Sequence, residues 1–228
     1  MATSTSSAFA LQKPFEDPLA YLPCSTIVSY SKGAVIYTQD QPANTFCLVI
    51  AGKVKITRIS DDGRPMLVDI YKPDDFFGES AFLNLVQRCE QATAIEDTRV
   101  MVWGSIQIEE IMEKRPKLAV AMVQVLGHRS LEFMRRVESF SLDDIGQRLA
   151  HALIRFADRM GERQDDGSML MLPLTHETLA QYVGTSREIV THYMNRLRRG
   201  GFVRYTRKNI VLYRDALRES VVQAAKAA

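Results

Sequence analysis

The residues of this chain best suited to chemistry are suited to recognition, not to bond making. Arg187, Glu188, Thr191, His192, Asn195 and Arg198 are spaced so that they share one side of a helix. Ile189, Val190, Tyr193, Met194 and Leu197 fall on the other side. An arginine fork pairs bidentately with guanine O6 and N7, and a carboxylate accepts from cytosine N4. The polar stripe begins at the helix N-terminus, the end of a recognition helix that meets base edges in a major groove. Thr185 and Glu188 fit a capping box, Thr-x-x-Glu, so capping its own helix competes with base contact for Glu188. Ser186, between them, joins the expected contact set.

Neighbouring elements must hold that stripe in place. Across residues 174–203 the pattern predicts a helix-turn-helix. Ala180 is small where two helices approach, and Gly184 stands at the turn, where glycine adopts a positive φ at little cost. Val190 packs the second helix on the first, with Leu179, Val183, Met194 and Leu197 completing the apolar faces. Gly200-Gly201 predicts a left-handed helix end. Residues 202–205 and 210–213 then read as two short strands with Arg207-Lys208-Asn209 at the tip, a wing able to reach phosphate through Arg204, Arg207 and Lys208. From Arg187 to Lys208 there are seven basic residues and one acidic.

Charge separates the chain into halves. Its 228 residues suffice for two small domains. Residues 1–140 hold 15 Lys/Arg against 17 Asp/Glu, whereas residues 141–228 hold 14 against 10, so only the C-terminal part attracts DNA electrostatically. Cys24, Cys47 and Cys89 are odd in number and scattered, which argues against a disulfide framework and for a reducing cytoplasm. No Cys-x2-Cys spacing suggests zinc. The opening MATSTSSAFA reads as a disordered tail, not a secretory signal, and no apolar run is long enough to span a membrane. No nucleophile–base pair at recognisable spacing points to an enzyme.

Residues 26–103 read as short strands separated by turns, without intervening helices, which predicts an antiparallel sandwich or barrel. Gly33, Gly52, Gly63 and Gly78 sit at the turns. Pro116 then suits a helix's first turn. After it Ala119, Val123, Leu126, Ser130, Phe133, Val137 and Phe140 follow at alternating steps of four and three, a coiled-coil seam that predicts a dimer. A hinge is expected at residues 140–143, with Asp143 or Asp144 capping the next helix.

In this order the strands, with Gly52-Lys53-Val54 and Asp75-Phe76-Phe77-Gly78-Glu79, resemble the β-roll of cyclic-nucleotide-binding proteins. Together with the winged helix-turn-helix, residues 26–213 resemble the CRP/FNR family of bacterial transcription regulators. The resemblance implies an α+β fold. An N-terminal antiparallel β-roll (a double-stranded β-helix, jelly-roll-like) precedes a long dimerisation helix and a C-terminal winged helix-turn-helix. The expected boundaries are a tail over 1–25, an effector domain over 26–115, the dimerisation helix over 116–140 and the DNA-binding domain over 141–228.

The resemblance also places an effector site at Gly78, Glu79, Ser80, Ala81, Arg88, Cys89 and Phe133. Nucleotide-binding members put Gly-Glu and Arg-Ser pairs around the cyclic phosphate and ribose. Here Cys89 stands for the serine, Glu90 brings a carboxylate beside the phosphate position, and Phe133-Met134 replaces the Thr-Ser that holds adenine. A cyclic nucleotide is therefore disfavoured and kept as an alternative. Three scattered cysteines do not suit an iron–sulfur cluster, and His128, the only histidine of the effector half, reads as a surface residue, not a heme ligand.

The reading is a homodimeric, cytoplasmic, sequence-specific DNA-binding regulator acting on a pseudo-palindromic double-stranded site, without a membrane partner. The resemblance implies RNA polymerase as a further partner. His192 stands where many relatives carry arginine, which unsettles the half-site preference at one base pair. A ligand-binding module acting on a protein partner, its helix-turn-helix only a scaffold, is the alternative of a different class.

Overall fold

The structure, a computed structural model, describes residues 16–83, 85–206 and 208–227, with no side chains beyond residue 223. The N-terminal tail up to residue 15 and Arg207, an expected phosphate contact, lie outside the described residues.

The first half is a roll of two four-stranded sheets. One has the order β1 (Thr26–Tyr30), β8 (Thr98–Gly104), β3 (Thr45–Ala51), β6 (Phe76–Phe77). The other runs β2 (Val35–Tyr37), β7 (Gln91–Ala94), β4 (Val54–Ile59), β5 (Pro65–Tyr71), and every pairing is antiparallel. Strand β3 explains the division of the core. Side chains alternate across a strand, so Cys47 and Val49 pack between the sheets, whereas Phe46 and Leu48 pack outward against Trp103, Ile108, Leu118 and Met122. Both faces are buried, and the strand therefore reads as an unbroken apolar run.

Helix α1 (Ser105–Lys114), which follows the last strand of the roll, supplies Ile108 to that outer layer. Helix α2 (Pro116–Leu142) runs unbroken from its proline, and Leu118, Ala121 and Met122 anchor its first turns to the roll. Val123 and Val137 stay 69% and 64% exposed, so an apolar stripe faces away from the body of the chain. Phe140, expected to end the seam, also touches the C-terminal half. Its ring lies over the turn at Gly184, with the Arg136 and Arg148 guanidinium groups 5.6 and 5.1 Å from its centroid.

The break after α2 falls at Asp143, and Asp144 caps α3 (Ile145–Met160) through a reciprocal box with Gln147. The C-terminal domain then adds β9 (Glu162–Arg163) and β10 (Met169–Met171), α4 (His176–Val183), α5 (Arg187–Arg199), β11 (Val203–Tyr205), β12 (Ile210–Leu212) and α6 (Arg214–Ala227). The wing is the edge of a four-stranded sheet ordered β11-β12-β10-β9, two strands more than the expected hairpin. Leu67 and Ile70 of β5 pack into this domain's core, with Leu149, Phe156, Leu179 and Val190, so the roll and the C-terminal domain share one apolar interface.

Candidate nucleic-acid interface and effector site

The turn between α4 and α5 is built as the spacing predicts. Gly184 has φ +70°, and a Cβ there would stand 2.9 Å from the Phe140 ring, so this position needs glycine for conformation and for space. Ala180 and Val190 are buried where the helices cross. Gly146 of α3, not anticipated from sequence, allows another close approach: a Cβ there would lie 2.7 Å from the Tyr193 ring.

The expected capping box at Thr185 does not form. Ser186 is the N-cap of α5, accepting from the Ile189 amide at 3.3 Å. Thr185 instead donates its backbone N–H to the Ala180 carbonyl at 3.1 Å, closing the end of α4. The frame moves because Gly184 ends α4 in a left-handed conformation that ties the next residue to the preceding helix. Glu188 stays fully exposed in the first turn, where backbone hydrogen bonding, then Ser186, holds its carboxyl below the ordinary range.

Arg187, Glu188 and His192 are exposed on α5, and Thr191 and Asn195 are half-buried beside them. Thr191 donates its hydroxyl to the Arg187 carbonyl at 2.8 Å and lies 2.8 Å from His176 Nδ1. Asn195 accepts from the Tyr205 hydroxyl at 3.2 Å, which ties the recognition helix to the wing. In the wing Arg204 is exposed, its guanidinium 5.2 Å from the Tyr213 ring centroid, and Lys208 is exposed at the tip. The helix ends as Gly200-Gly201 suggested, with Gly201 alone left-handed at φ +78°.

The effector residues converge less completely. Arg88 is 4% exposed. It donates through Nη1 to the Gly78 carbonyl and Ser80 Oγ, both at 3.3 Å, and through Nη2 to Thr45 O and Oγ1 at 2.6 and 2.5 Å, and it stacks 4.0 Å over the Tyr37 ring. Glu90 accepts from Tyr37 and Ser80, each at 3.2 Å. Burial, then the nearby Glu79 charge, raises the Glu90 carboxyl above its ordinary value. Glu79 pairs with Arg129 at 3.1 Å. Ala81 is buried, Cys89 is exposed to solvent, and Phe133 lies half-exposed on α2. The guanidinium matched to a phosphate is thus already bonded within the chain, and Cys89 does not join Arg88 in the cluster.

Sequence reading missed a charged cluster that joins the domains. Asp69 of β5 is 3% exposed. Arg155 grips it bidentately at 3.0 and 3.0 Å, and Arg159, one helical turn on, reaches it at 2.5 Å and Asp75 at 2.8 Å. Burial would raise the Asp69 carboxyl, but hydrogen bonding to Arg155 and the Arg159 charge outweigh it and hold it low. Arg136 donates to Leu67 O, Val68 O and Tyr182 O at 2.9, 3.0 and 2.7 Å, spanning roll, linking helix and helix-turn-helix. The only sequence signal was the i, i+4 spacing of Arg155 and Arg159. A cleft of about 1080 Å³ runs beside this cluster, between the roll, α2 and α3. Among the described residues, no three His, Cys, Asp or Glu side chains are placed to hold a metal ion, and no helix is long and apolar enough to cross a membrane.

The sequence matches the cyclic nucleotide-binding domain family over residues 27–115 and the Crp-like helix-turn-helix domain family over residues 147–220. It is 28% identical over 81% of its length, and 83% of the relative's, to a CRP-like cAMP-activated global transcriptional regulator of Mycobacterium tuberculosis. It is similar to the crystal structure of a CRP/FNR-family transcriptional regulator from Thermus thermophilus, with 27% identity and a TM-score of 0.67 over 85% of this chain and 97% of that one. The fold of FixK2 from Bradyrhizobium japonicum also superposes, with a TM-score of 0.74 at 23% identity over 86% of this chain and 96% of that one. Both halves of the sequence agree with one architecture in one order, and the chain belongs to the CRP/FNR family of DNA-binding transcription regulators.

Proposed function

We propose that the chain acts as a homodimer on a two-fold symmetric DNA site, reading bases with α5 and gripping phosphates with the wing. What carries this is one observation: α5 presents Arg187, Glu188 and His192 to solvent while Val190 and Met194 are fully buried beneath them. A scaffold helix has no need of that polar stripe. Two such helices enter successive major grooves about 34 Å apart if α2 pairs through Val123, Leu126 and Val137. Ser186, Thr191 and Asn195 complete the reading set, and Arg204, Arg207 and Lys208 serve as the phosphate contacts. Regulation of transcription on DNA places the protein in the bacterial cytoplasm with RNA polymerase as its protein partner.

The roll works here without a cyclic nucleotide held by Arg88. Support comes from the four hydrogen bonds that guanidinium already makes inside the chain, from the Glu90 carboxylate nearby and from the Glu79–Arg129 pair. The second reading, a cAMP-responsive regulator, is favoured by the M. tuberculosis relative, whose description says it is cAMP-activated.

Selection of bound fragments from a random DNA pool, with and without cAMP, tests both. An inverted repeat recovered equally in both arms is the expected result. No enrichment overturns the DNA reading, and enrichment only with cAMP favours the second reading. Leu126→Asp should release monomers in sedimentation, because a charge in an apolar seam costs several kcal/mol. An unchanged dimer sinks the seam.

A further inference from the structure

We infer that His176, at the start of α4, fixes Thr191 in the orientation it presents to DNA: a hydrogen-bond acceptor and a methyl group, the hydroxyl proton being taken by the Arg187 carbonyl. This rests on the reading of α5 as the base-contacting helix. A threonine hydroxyl carries one proton and two lone pairs. The Thr191 proton goes to the Arg187 carbonyl at 2.8 Å. His176 Nδ1 lies 2.8 Å from the same oxygen, so the proton in that second bond belongs to the imidazole. Thr191 therefore offers outward only its remaining lone pair and its methyl.

The same ring touches the wing. It meets Tyr205 edge-on, with centroids 5.6 Å apart and planes at 72°, and Tyr205 in turn donates to Asn195 of α5 at 3.2 Å. One half-buried imidazole thus spans the first helix, the recognition helix and the wing. Burial, followed by the Arg187 charge, lowers its basicity, while the bond to Thr191 is what places a proton on Nδ1.

The consequence is a rule for one base pair. An acceptor with a methyl suits the amino groups of adenine and cytosine or the methyl of thymine, and it opposes guanine, whose major-groove edge carries only the N7 and O6 acceptors. His176 is a positioning residue here: it acts on the DNA through Thr191.

The test measures affinities of the purified full chain for its best site with all four bases substituted at each half-site position. Wild type, Thr191→Ala, His176→Ala and His176→Asn are compared at two salt concentrations. Thr191→Ala identifies the base pair Thr191 reads. At that pair alone, His176→Ala should relax discrimination about five- to tenfold, the scale of one hydrogen bond, because Thr191 then keeps only the Arg187 bond to fix its hydroxyl. His176→Asn, whose Nδ2 occupies the place of Nδ1, should restore it. Thermal melting of each variant separates this from loss of fold, and the asparagine variant keeps the test open if the alanine variant does not fold. Unchanged discrimination in His176→Ala overturns the inference. So does uniform weakening with a smaller salt slope, which is the signature of a phosphate contact. If wild type itself shows no base preference, the recognition-helix reading fails and takes this inference with it.

Discussion

Arg88 and Arg187 are both arginines that their motifs assign to a ligand, an anion for one and a base for the other, and the fold treats them oppositely. Arg88 is buried in the roll, bonded to Gly78, Ser80 and Thr45 and stacked on Tyr37. Arg187 sits exposed at the first turn of α5, carried on a helix whose apolar face is locked into the core. A guanidinium has five donors in a fixed fork. Where carbonyls and hydroxyls of the chain take the Nη donors, as at Arg88, the guanidinium is tied into the scaffold, and where it faces solvent it is available to a partner. A motif specifies a residue type, and its neighbours decide between these roles.

The largest effect that could break this contrast is on stability. Arg88→Ala removes four hydrogen bonds from a packed interior, and, although the Gly78 carbonyl keeps the Ala81 amide, the substitution should cost about 2–4 kcal/mol in denaturant unfolding while base preference stays as in wild type. A variant as stable as wild type that has lost a response to cAMP would make Arg88 a ligand contact instead. Arg187→Ala should show the mirror image. Melting is nearly unchanged, affinity falls by about 1–3 kcal/mol, and preference relaxes at one base pair in each half-site.

Smaller effects sharpen the picture. Lys208→Ala should weaken all sequences about equally and reduce the salt slope by roughly one counterion per subunit, since its position at the wing tip puts it nearer the backbone than the bases. A change in base preference from this variant would exchange the roles of wing and helix. Smallest is Glu90→Gln, which keeps an acceptor for Tyr37 and Ser80 but removes a charge disfavoured by burial and by Glu79. The folded-state value is raised, so ionisation costs stability above it and costs nothing below the ordinary value of 4.5. Glu90→Gln should therefore raise Tm at pH 7, and the gain should vanish as the pH falls through that interval. A gain that persists in acid would place its cause outside the carboxyl.

Much of this architecture is legible in the chain because it depends on local periods. The spacing Ala180, Gly184, Val190 requires a tight helix crossing, the apolar run through β3 and the alternation through β4 require strands, and the unbroken run after Pro116 requires a long helix. Each is a rule about residues close in sequence, and each survives folding. The capping frame of α5 was misjudged by one residue, because Thr185 and Ser186 are both competent caps and only the left-handed Gly184 decides which carbonyl and amide remain unpaired.

What the sequence determined by itself was which side chains are available and on which helical face or strand they sit. The tertiary structure alone decided which of them meet across long separations. Asp69 reaches Arg155 and Arg159 over separations of 86 and 90 residues, His176 reaches Thr191 and Tyr205 across two elements, and the Phe140 ring covers Gly184. The physical reason is the same in each case. Such a contact depends on how two separately formed elements pack, and no local period encodes the angle between them.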